Sequence, residues 1–235
     1  MSPSTIMKKI LALGNAEPPD HAINQYIVQL SEKDTPRLCF IGTASGESED
    51  YYQAIAAAFS VFGCQTKQLS LFRPPTADLQ DYLLSTDIIY VGGGNTRSML
   101  ALWREWGVDT ILRQAWEAGI LLCGPSAGSI CWFEQGVTDS VPGQMNPIQC
   151  LGFLPGSNCP HYDSEPMRRP SYTEMIGNGT LKNGYAADDY AGLLYHDKHL
   201  AEVVSARLNA HVYRVERRDD KAVETVLLPT VVLQG

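Results

Sequence analysis

The chain has 235 residues, a formal net charge of −8 and a sequence isoelectric point near 5.1. This acidic balance argues against nucleic acid or an anionic membrane as the main partner, because both are themselves negatively charged. Apolar residues make up 44% of the chain, which is enough for a sizeable core. No run approaches the roughly 18 apolar residues of a membrane-spanning helix. The length suits one large α/β domain, and we expect residues 1–235 to form a single domain.

The cysteines indicate a reducing compartment. Six are present, but they form no C-x-x-C pair and no spacing typical of a disulfide framework. Cys39 and Cys123 lie in apolar, strand-like runs, where cysteine packs as a small apolar residue. The first nine residues, MSPSTIMKK, lack the apolar stretch of a signal peptide. We therefore expect a cytoplasmic protein.

The first half of the chain alternates between strand and helix patterns. Short apolar runs are separated by longer amphipathic segments. Strands are predicted at residues 9–13, 37–42, 65–71, 87–91 and 120–123, and helices at 21–31, 49–62, 78–84, 97–106 and 109–118. This alternation is typical of a mostly parallel sheet that is covered by helices on both faces.

The second half has a different pattern. Residues 136–156 combine prolines and glycines with weak periodicity, which favours loops and short strands. One or two helical turns are predicted at residues 172–178. From residue 185 onward the pattern becomes β, with antiparallel strands predicted at 200–205, 210–217 and 224–228.

A nucleophile elbow is predicted within residues 119–134, GILLCGPSAGSICWFE. A buried strand at 120–123 is followed by the G-x-S-x-G motif at 124–128 and then by the start of an apolar helix. Such a turn holds the Ser126 hydroxyl clear of the backbone, and its small neighbours admit a substrate carbonyl. The helix N-terminus then offers free N–H groups to an oxyanion. Ser126 is therefore the candidate nucleophile, whereas Ser129 is interpreted as a packing or capping residue.

A second glycine-rich loop, GGGNT at residues 92–96, follows the strand at 87–91. Three glycines permit positive φ and close backbone approach, which leaves N–H groups free to face a substrate. The loop matches neither G-x-G-x-x-G nor a P-loop, and Asn95 and Thr96 are placed to cap the next helix. Both loops come at the carboxyl ends of consecutive strands, where parallel sheets bind their ligands. The sequence therefore predicts the functional site at this edge.

A serine nucleophile needs a general base, and the base needs an orienting carboxylate. His161 is the preferred base because it lies in an irregular, polar loop, where site residues are frequent. His211, on a late strand, is the alternative. The candidate acids are Asp163, Glu165, Asp188 and Asp189.

Three ordered motifs, IYVGGGNT at 89–96, GPSAG at 124–128 and PHY at 160–162, together resemble the peptidase E family. These are aspartyl dipeptidases, relatives of cyanophycinase within the class I glutamine amidotransferase-like superfamily. The resemblance covers residues 8 to about 228. It implies an α/β fold, a flavodoxin-like three-layer α/β/α sandwich with a mostly parallel sheet, which here would carry antiparallel C-terminal strands.

The resemblance also implies serine peptidase chemistry without a metal or a cofactor. Ser126 matches the family's nucleophile, and His161 matches its general base. The N–H groups of Gly94 and Ala127 match its oxyanion hole. The third catalytic member of the family is an acidic residue, usually Glu, and Asp189 stands at that position with a side chain one methylene shorter.

Other interpretations stay open at this point. In the Ser, Asp, His order of the α/β-hydrolases, His211 would be the base and Asp188 or Asp189 the acid. A cyanophycinase-like or isoaspartyl peptidase would use the same chemistry on a branched or β-aspartyl substrate. A non-catalytic binding protein with the amidotransferase-like fold is the alternative outside enzymes.

The resemblance implies dipeptides with an N-terminal aspartate as substrates, and hence a cationic pocket for a carboxylate. Arg168 and Arg169 supply paired guanidinium groups shortly after His161, and Asn95 is a further candidate for substrate binding. Two solvated arginines on a loop are the alternative interpretation. The expected partner is a small peptide substrate, and neither nucleic acid nor a membrane is expected. The sequence leaves a homodimer open as the oligomeric state.

Overall fold

A computed structural model of the chain describes residues 6–16 and 20–233. Its strands, numbered in chain order, are β1 (Lys9–Leu13), β2 (Arg37–Ile41), β3 (Gln65–Leu69), β4 (Ile88–Val91), β5 (Leu121–Pro125), β6 (Phe133–Val141), β7 (Gln144–Gln149), β8 (Leu154–Cys159), β9 (Gly184–Ala187), β10 (Ala191–His196), β11 (His199–Ser205), β12 (Val212–Arg218), β13 (Lys221–Leu227) and β14 (Val231–Val232). Its helices are α1 (His21–Leu30), α2 (Glu49–Ser60), α3 (Leu79–Leu84), α4 (Thr96–Trp106), α5 (Val108–Glu117), α6 (Ala127–Ile130) and α7 (Arg168–Gly177).

The alternation of strands and helices predicted for the first half is confirmed, with end points that differ by one or two residues. Side-chain caps explain why the helix starts were readable. The Ser48 side chain accepts a hydrogen bond from the Tyr51 N–H at the start of α2. The Asn95 side chain does the same for the Ser98 N–H at the start of α4.

The larger sheet has eight strands in the order β14-β11-β10-β1-β5-β4-β2-β3. Strands β1, β5, β4, β2 and β3 pair in parallel, whereas β10 pairs antiparallel with both β1 and β11. The sheet is therefore parallel at its centre with antiparallel C-terminal strands on one side, as predicted. The strands β4 and β5 are buried at every position, which is expected for central strands covered on both faces.

Helices cover both faces of this sheet. On one face, Ile23 of α1 and Phe59 of α2 pack against alternate residues of β1, β2 and β4. On the other face, Leu83 of α3, Trp103 of α4 and Leu112 of α5 pack against the intervening residues of the same strands. The result is the three-layer α/β/α sandwich, flavodoxin-like in its arrangement. Across residues 6–16 and 20–233, no helix is long and apolar enough to cross a membrane.

A second sheet of six strands, in the order β13-β12-β9-β8-β6-β7, corrects the prediction for residues 136–156. That stretch was expected to form loops and short strands, but it contains most of the nine-residue β6, all of β7 and the start of β8. One of its three prolines, Pro147, lies in β7 at the sheet edge, where proline is tolerated because an edge strand has a neighbour on one side only. The antiparallel pairing of β12 with β13 agrees with the prediction.

Helix α7 covers this second sheet and is longer than predicted. Tyr172 and Ile176 pack with Val215 of β12 in a third core cluster. The helix begins at Arg168 rather than at residue 172. Pro170 obscured this start in the sequence, but proline is tolerated in the first helical turn because the N–H groups there have no intrahelical acceptor. That residues 1–235 form a single domain stays a prediction.

The nucleophile elbow depends on a backbone contact between β4 and β5. A Cβ atom added at Gly124 would lie 2.1 Å from the carbonyl oxygen of Val91, and one added at Gly128 would lie 2.0 Å from the same atom. Both positions therefore require glycine. The two glycines of the G-x-S-x-G motif let the turn pack directly on the end of β4.

Replacing Gly128 with alanine should destabilise the fold strongly, by about 4 kcal/mol or more, because rigid backbone leaves no room for the added methyl group. The matched control is Gly143→Ala in the β6–β7 turn. At Gly143, with φ +74°, no heavy atom of the described residues would lie within 4 Å of the new Cβ. That variant should lose only about 1 kcal/mol through left-handed backbone strain. Urea unfolding of both variants measures the difference, and equal losses would contradict the close contact.

Candidate active site

The candidate site lies where five strands end. Asn15 follows β1, the GGGNT loop follows β4, Ser126 follows β5, His161 follows β8 and Asp189 follows β9. The first three belong to the larger sheet and the last two to the second sheet. The candidate site therefore lies at the carboxyl ends of β4 and β5, as predicted, and the second sheet adds His161 and Asp189 to it.

Ser126 has the backbone geometry of a strained turn. Its φ is 55° and its ψ is −116°, a combination that a side chain with a Cβ rarely adopts. The residue caps the four-residue helix α6, and within the described residues its hydroxyl makes no hydrogen bond. A Cβ added at Gly93 would lie 3.2 Å from the Ser126 Cβ and 3.7 Å from its Oγ. Glycine at position 93 therefore keeps the space beside the hydroxyl open.

Two backbone amides beside Ser126 are suited to receive an oxyanion. In the described part of the chain, neither the Gly94 nor the Ala127 N–H has a hydrogen-bond acceptor. Gly94 has φ 130°, and a Cβ there would lie 2.3 Å from the carbonyl oxygen of Ala44. The next amide, that of Asn95, donates to this carbonyl at 2.7 Å, which fixes the loop. Free amides on a fixed backbone are the donors that stabilise developing negative charge.

His161 and Asp189 form a hydrogen-bonded pair. The His161 Nδ1 lies 2.9 Å from the Asp189 Oδ1, and both side chains are largely buried. Burial on its own would raise the pKa of Asp189, but hydrogen bonds from His161, Ser164 and Asn15 outweigh it, and the pKa is lowered. Asp189 is therefore ionised, and it engages the Nδ1 side of the ring. The Nε2 atom has its nearest carboxylate oxygen, that of Glu165, at 3.9 Å, beyond hydrogen-bond distance.

Asn15 is a site residue that the sequence analysis missed. The carbonyl oxygen of the preceding residue, Gly14, accepts a hydrogen bond from the Ser126 N–H at 3.3 Å. Asn15 itself forms a β-bridge with Asp189, and its Nδ2 lies 3.5 Å from the Asp189 Oδ2. The turn after β1 therefore holds the Ser126 loop and the Asp189 loop side by side. Its signal was available, since Gly14 and Asn15 end a predicted strand at the same sheet edge.

The adjacent acid, Asp188, contacts the other candidate histidine. Its Oδ2 accepts a hydrogen bond from the backbone N–H of His211 at 2.9 Å and lies 3.6 Å from the His211 Nδ1. The two neighbouring carboxylates thus face different histidines, and the His161–Asp189 pair has the shorter contact. Asp163 accepts a hydrogen bond from the Asp189 N–H at 2.8 Å and so helps to fix the acid loop.

The comparisons with known proteins agree with this geometry. The family model of peptidase family S51 matches residues 10–203. The chain belongs to peptidase family S51. The uncharacterised peptidase YgaJ of Bacillus subtilis is 48% identical over 225 residues, which cover 94% of this chain and 97% of that one. Peptidase E of Shewanella denitrificans is 27% identical, over 70% of this chain and 69% of its own length.

A crystal structure of a peptidase from an acI-B1 Actinobacterium has a similar fold, with a TM-score of 0.71 over 96% of each chain and 18% sequence identity. The family assignment confirms the resemblance to peptidase E. As a member of family S51, the protein is a serine-type peptidase. Among the described residues of this S51 peptidase, no group of three or more His, Cys, Asp or Glu side chains is arranged to hold a metal ion.

Two of the three residues expected to bind substrate have every polar side-chain atom engaged by other groups of the S51 peptidase. Arg168 is 1% exposed, and its three guanidinium nitrogens contact the Glu165 carboxylate, the Val137 carbonyl oxygen and the Asp139 carboxylate. It is a buried structural cation, because it fixes the start of α7 to β6. This corrects the expectation that Arg168 binds substrate.

Asn95 is likewise occupied at both ends of its amide. The Oδ1 atom accepts a hydrogen bond from the Ser98 N–H at 2.9 Å, and the Nδ2 atom donates to the Ser140 carbonyl oxygen at 3.0 Å. The capping role predicted for Asn95 is confirmed, whereas its expected role in substrate binding does not fit these contacts.

Arg169 remains accessible, with its side chain half exposed. Its Nε and Nη2 atoms donate to the Glu224 carboxylate, and its guanidinium carbon lies 5.3 Å and 5.0 Å from the ring centroids of Tyr162 and Tyr213. Tyr162 directly follows His161 in the chain, so its ring links the Arg169 guanidinium to the candidate site.

The buried Asp188 should give the protein a measurable pH dependence. Burial raises its pKa above the ordinary value of 3.8, partly offset by the hydrogen bond from the His211 N–H. A carboxyl group with a raised folded-state pKa stabilises the fold less as the pH rises above its unfolded pKa. The stability of Asp188→Asn relative to wild type should therefore increase from pH 3.8 toward neutrality.

Thermal unfolding of both proteins across this range measures the effect, and Asp34→Asn, at an exposed position, is the matched control. A fall in the stability of Asp188→Asn relative to wild type as the pH rises would contradict the assignment.

Proposed function

We propose that this S51 peptidase hydrolyses small peptides through an acyl-enzyme, with Ser126 as nucleophile, His161 as general base and Asp189 as the orienting acid. The observation that carries the proposal is the 2.9 Å hydrogen bond between the His161 Nδ1 and the Asp189 Oδ1. The hydrogen bond engages the Nδ1 atom and leaves the Nε2 atom for the nucleophile, which is the division of roles that a catalytic histidine requires.

In the proposed reaction, the Ser126 Oγ attacks the peptide carbonyl carbon while His161 takes the hydroxyl proton on Nε2. The oxyanion of the tetrahedral intermediate is held by the N–H groups of Gly94 and Ala127, which have no acceptor in the described part of the chain. His161 then gives the proton to the leaving amine, and an ester between Ser126 and the acyl group remains. Water attacks this ester with His161 again as the base, and the acid product leaves.

The shorter acid does not weaken the proposal. Asp189 occupies the position at which the peptidase E family usually has Glu, and its carboxylate still approaches the imidazole to hydrogen-bond distance. The Asp189 N–H donates a hydrogen bond to the Asp163 carboxylate, and the Asn15 side chain donates one to the Asp189 carboxylate, so the loop is fixed. A fixed backbone can replace the reach that one methylene would supply.

Ser126→Ala should lose at least about three orders of magnitude in kcat, because the covalent step has no nucleophile. Asp189→Asn should lose about two to four orders, since an amide stabilises the wrong tautomer of His161 and cannot stabilise imidazolium. The matched control is Asp188→Asn, which changes the adjacent carboxylate and should keep most of the activity.

Hydrolysis rates of the three variants and labelling by a fluorophosphonate probe test this assignment. Wild type and Asp188→Asn should label, and Ser126→Ala should not. Loss of activity in Asp188→Asn with activity kept in Asp189→Asn would transfer the acid role to Asp188, and with it the base role to His211. A folded wild-type protein that neither labels nor hydrolyses any peptide would instead support the non-catalytic binding alternative.

We further propose that the preferred substrates are dipeptides with an N-terminal aspartate and that Arg169 binds the aspartate carboxylate. Arg169 supports this role because it is half exposed, and Tyr162, whose ring it contacts, is the neighbour of His161. Glu224 engages only the Nε and Nη2 atoms of Arg169, so a substrate carboxylate would approach at Nη1.

Arg169→Gln should raise KM for α-Asp-Leu roughly 10- to 100-fold. This corresponds to the loss of one charge-assisted hydrogen bond, which contributes about 1.5–3 kcal/mol. The variant should leave hydrolysis of Leu-Leu unchanged. Arg218→Gln, which removes another exposed arginine paired with a glutamate, is the matched control.

The measurement is a panel of α-Asp-Leu, β-Asp-Leu, Leu-Leu and longer peptides that begin with aspartate. Equal losses on α-Asp-Leu and Leu-Leu would rule out Arg169 as the specificity residue. Preference for β-Asp-Leu would keep the mechanism and favour the isoaspartyl or cyanophycinase-like alternative.

A further inference from the structure

A cleft of about 1000 Å³ lies between the two sheets, away from the candidate active site. It is bounded by the β10–β11 hairpin of the larger sheet and by the starts of β8 and β9 in the second sheet. His161 and Asp189 follow the opposite ends of β8 and β9. From Tyr185 in the cleft to Asp189 the chain runs about 13 Å at the rise of an extended strand. The cleft and the candidate catalytic residues are therefore separate places on the same two strands.

Lysine and arginine are the charged residues that line the cleft, although the protein as a whole is acidic. The chain has 26 acidic and 18 basic residues. The lining of the cleft, as far as the described residues show, nevertheless contains no Asp or Glu. It contains four basic side chains, which are Lys182, Lys198, Arg214 and Arg217. Clefts lined by one sign of charge focus the electrostatic field and concentrate the opposite ion.

Three of these cations have carboxylate partners outside the lining. Lys182 pairs with Glu134, Arg214 with Glu216 and Arg217 with Asp220. The fourth, Lys198, lies on the turn of the β10–β11 hairpin, and no carboxylate oxygen of the described residues lies within ion-pair distance of its ammonium group. An exposed lysine of this kind is free to pair with an anion that enters the cleft.

Two tyrosines form the apolar side of the cleft. Tyr195 of β10 is 2% exposed, and in the described part of the chain its Oη atom has no hydrogen-bond partner. Buried polar atoms in native proteins are nearly always paired, and an orphaned one costs stability. The neighbouring ring of Tyr185 lies 6.4 Å from that of Tyr195, and together with Leu200 these rings give the cleft an apolar side.

We propose that this cleft binds a small organic anion, one that has a phosphate or carboxylate group on an aromatic or apolar body. The anionic group pairs with Lys198. The body packs on the tyrosine rings. A volume of about 1000 Å³ lies at the upper end of the range for small-molecule sites.

The test uses the full-length protein and two anionic probes with their neutral counterparts. Adenosine monophosphate is compared with adenosine, and 4-hydroxyphenylacetate with 4-hydroxyphenylacetamide, by calorimetric titration. At least one anion should bind at millimolar concentration or below, and its neutral counterpart should bind at least roughly tenfold more weakly. The anion that binds identifies phosphate or carboxylate as the preferred group. If neither anion binds, the proposal is wrong.

Variants locate the binding. Lys198→Glu should weaken it at least roughly tenfold, because an attractive charge becomes a repulsive one. Arg73→Glu makes the same change of net charge on the loop after β3, at the far edge of the larger sheet, and should leave binding unchanged. Ser126→Ala should also leave it unchanged. Equal weakening by Arg73→Glu, or loss of binding in Ser126→Ala, would overturn the proposal in favour of general attraction or of binding at the active site.

Tyr195→Phe separates a role in binding from a role in folding. Removal of an unpaired buried hydroxyl should raise the melting temperature of the free protein. The same change should leave anion binding unchanged, because the hydroxyl oxygen is enclosed by protein atoms and the ring that lines the cleft is kept. A several-fold loss of affinity would contradict this placement of the ligand. Melting curves of all the variants show that each is folded before its affinity is compared.

Discussion

The candidate site depends on one backbone contact, the packing of the elbow glycines against the carbonyl oxygen of Val91. Two positions of the turn, Gly124 and Gly128, approach this oxygen so closely that neither accepts a Cβ atom. The contact places the end of β5 directly on the end of β4. Ser126, between the two glycines, is thereby held with a φ of 55°. The hydroxyl, the space beside Gly93 and the free amide of Ala127 all follow from this close approach.

The rest of the site is assembled by the second sheet. Strands β8 and β9 are parallel neighbours, so their carboxyl ends lie together and bring His161 beside Asp189. After β9 the chain passes through Asp189 directly into β10, which pairs with β1 in the larger sheet. The acid therefore lies where the chain crosses from one sheet to the other. Asn15, at the end of β1, contacts it there. Ser126, His161 and Asp189 are brought to one edge by this crossing rather than by a single sheet.

The fold of the first half was readable from the sequence because local signals agree there. Continuous apolar runs, capping side chains and glycine-rich loops all indicate the same alternation of buried strands and covering helices. The second sheet was not readable in the same way. Its β6 and β7 are partly exposed and contain polar residues, and β6 pairs in parallel with β8, a contact that the sequence pattern does not encode. Strands of this kind are defined by their partners more than by their own composition.

The same distinction explains which site residues could be predicted. Ser126 has a motif of its own, because the turn that exposes it requires glycine at fixed positions. A histidine or an acid carries no such local signature. His161 was preferred because of its irregular, polar loop, whereas Asp189 was selected among four acids only through the family resemblance. Arg168 shows the opposite error, since paired arginines on a polar segment suggested a ligand, whereas the fold uses one of them as a buried cation among carboxylates.

The adjacent acids show why residue type alone could not decide between the alternatives. Successive side chains of an extended segment point to opposite sides, so Asp188 and Asp189 necessarily face different environments. Asp188 is turned toward the backbone of His211, where burial raises its pKa. Asp189 is turned toward His161 and Asn15, where hydrogen bonds lower its pKa in spite of burial. A shift of one residue in the register of this segment would exchange the two roles. The β-bridge between Asn15 and Asp189 fixes that register, and so determines which carboxylate meets the histidine.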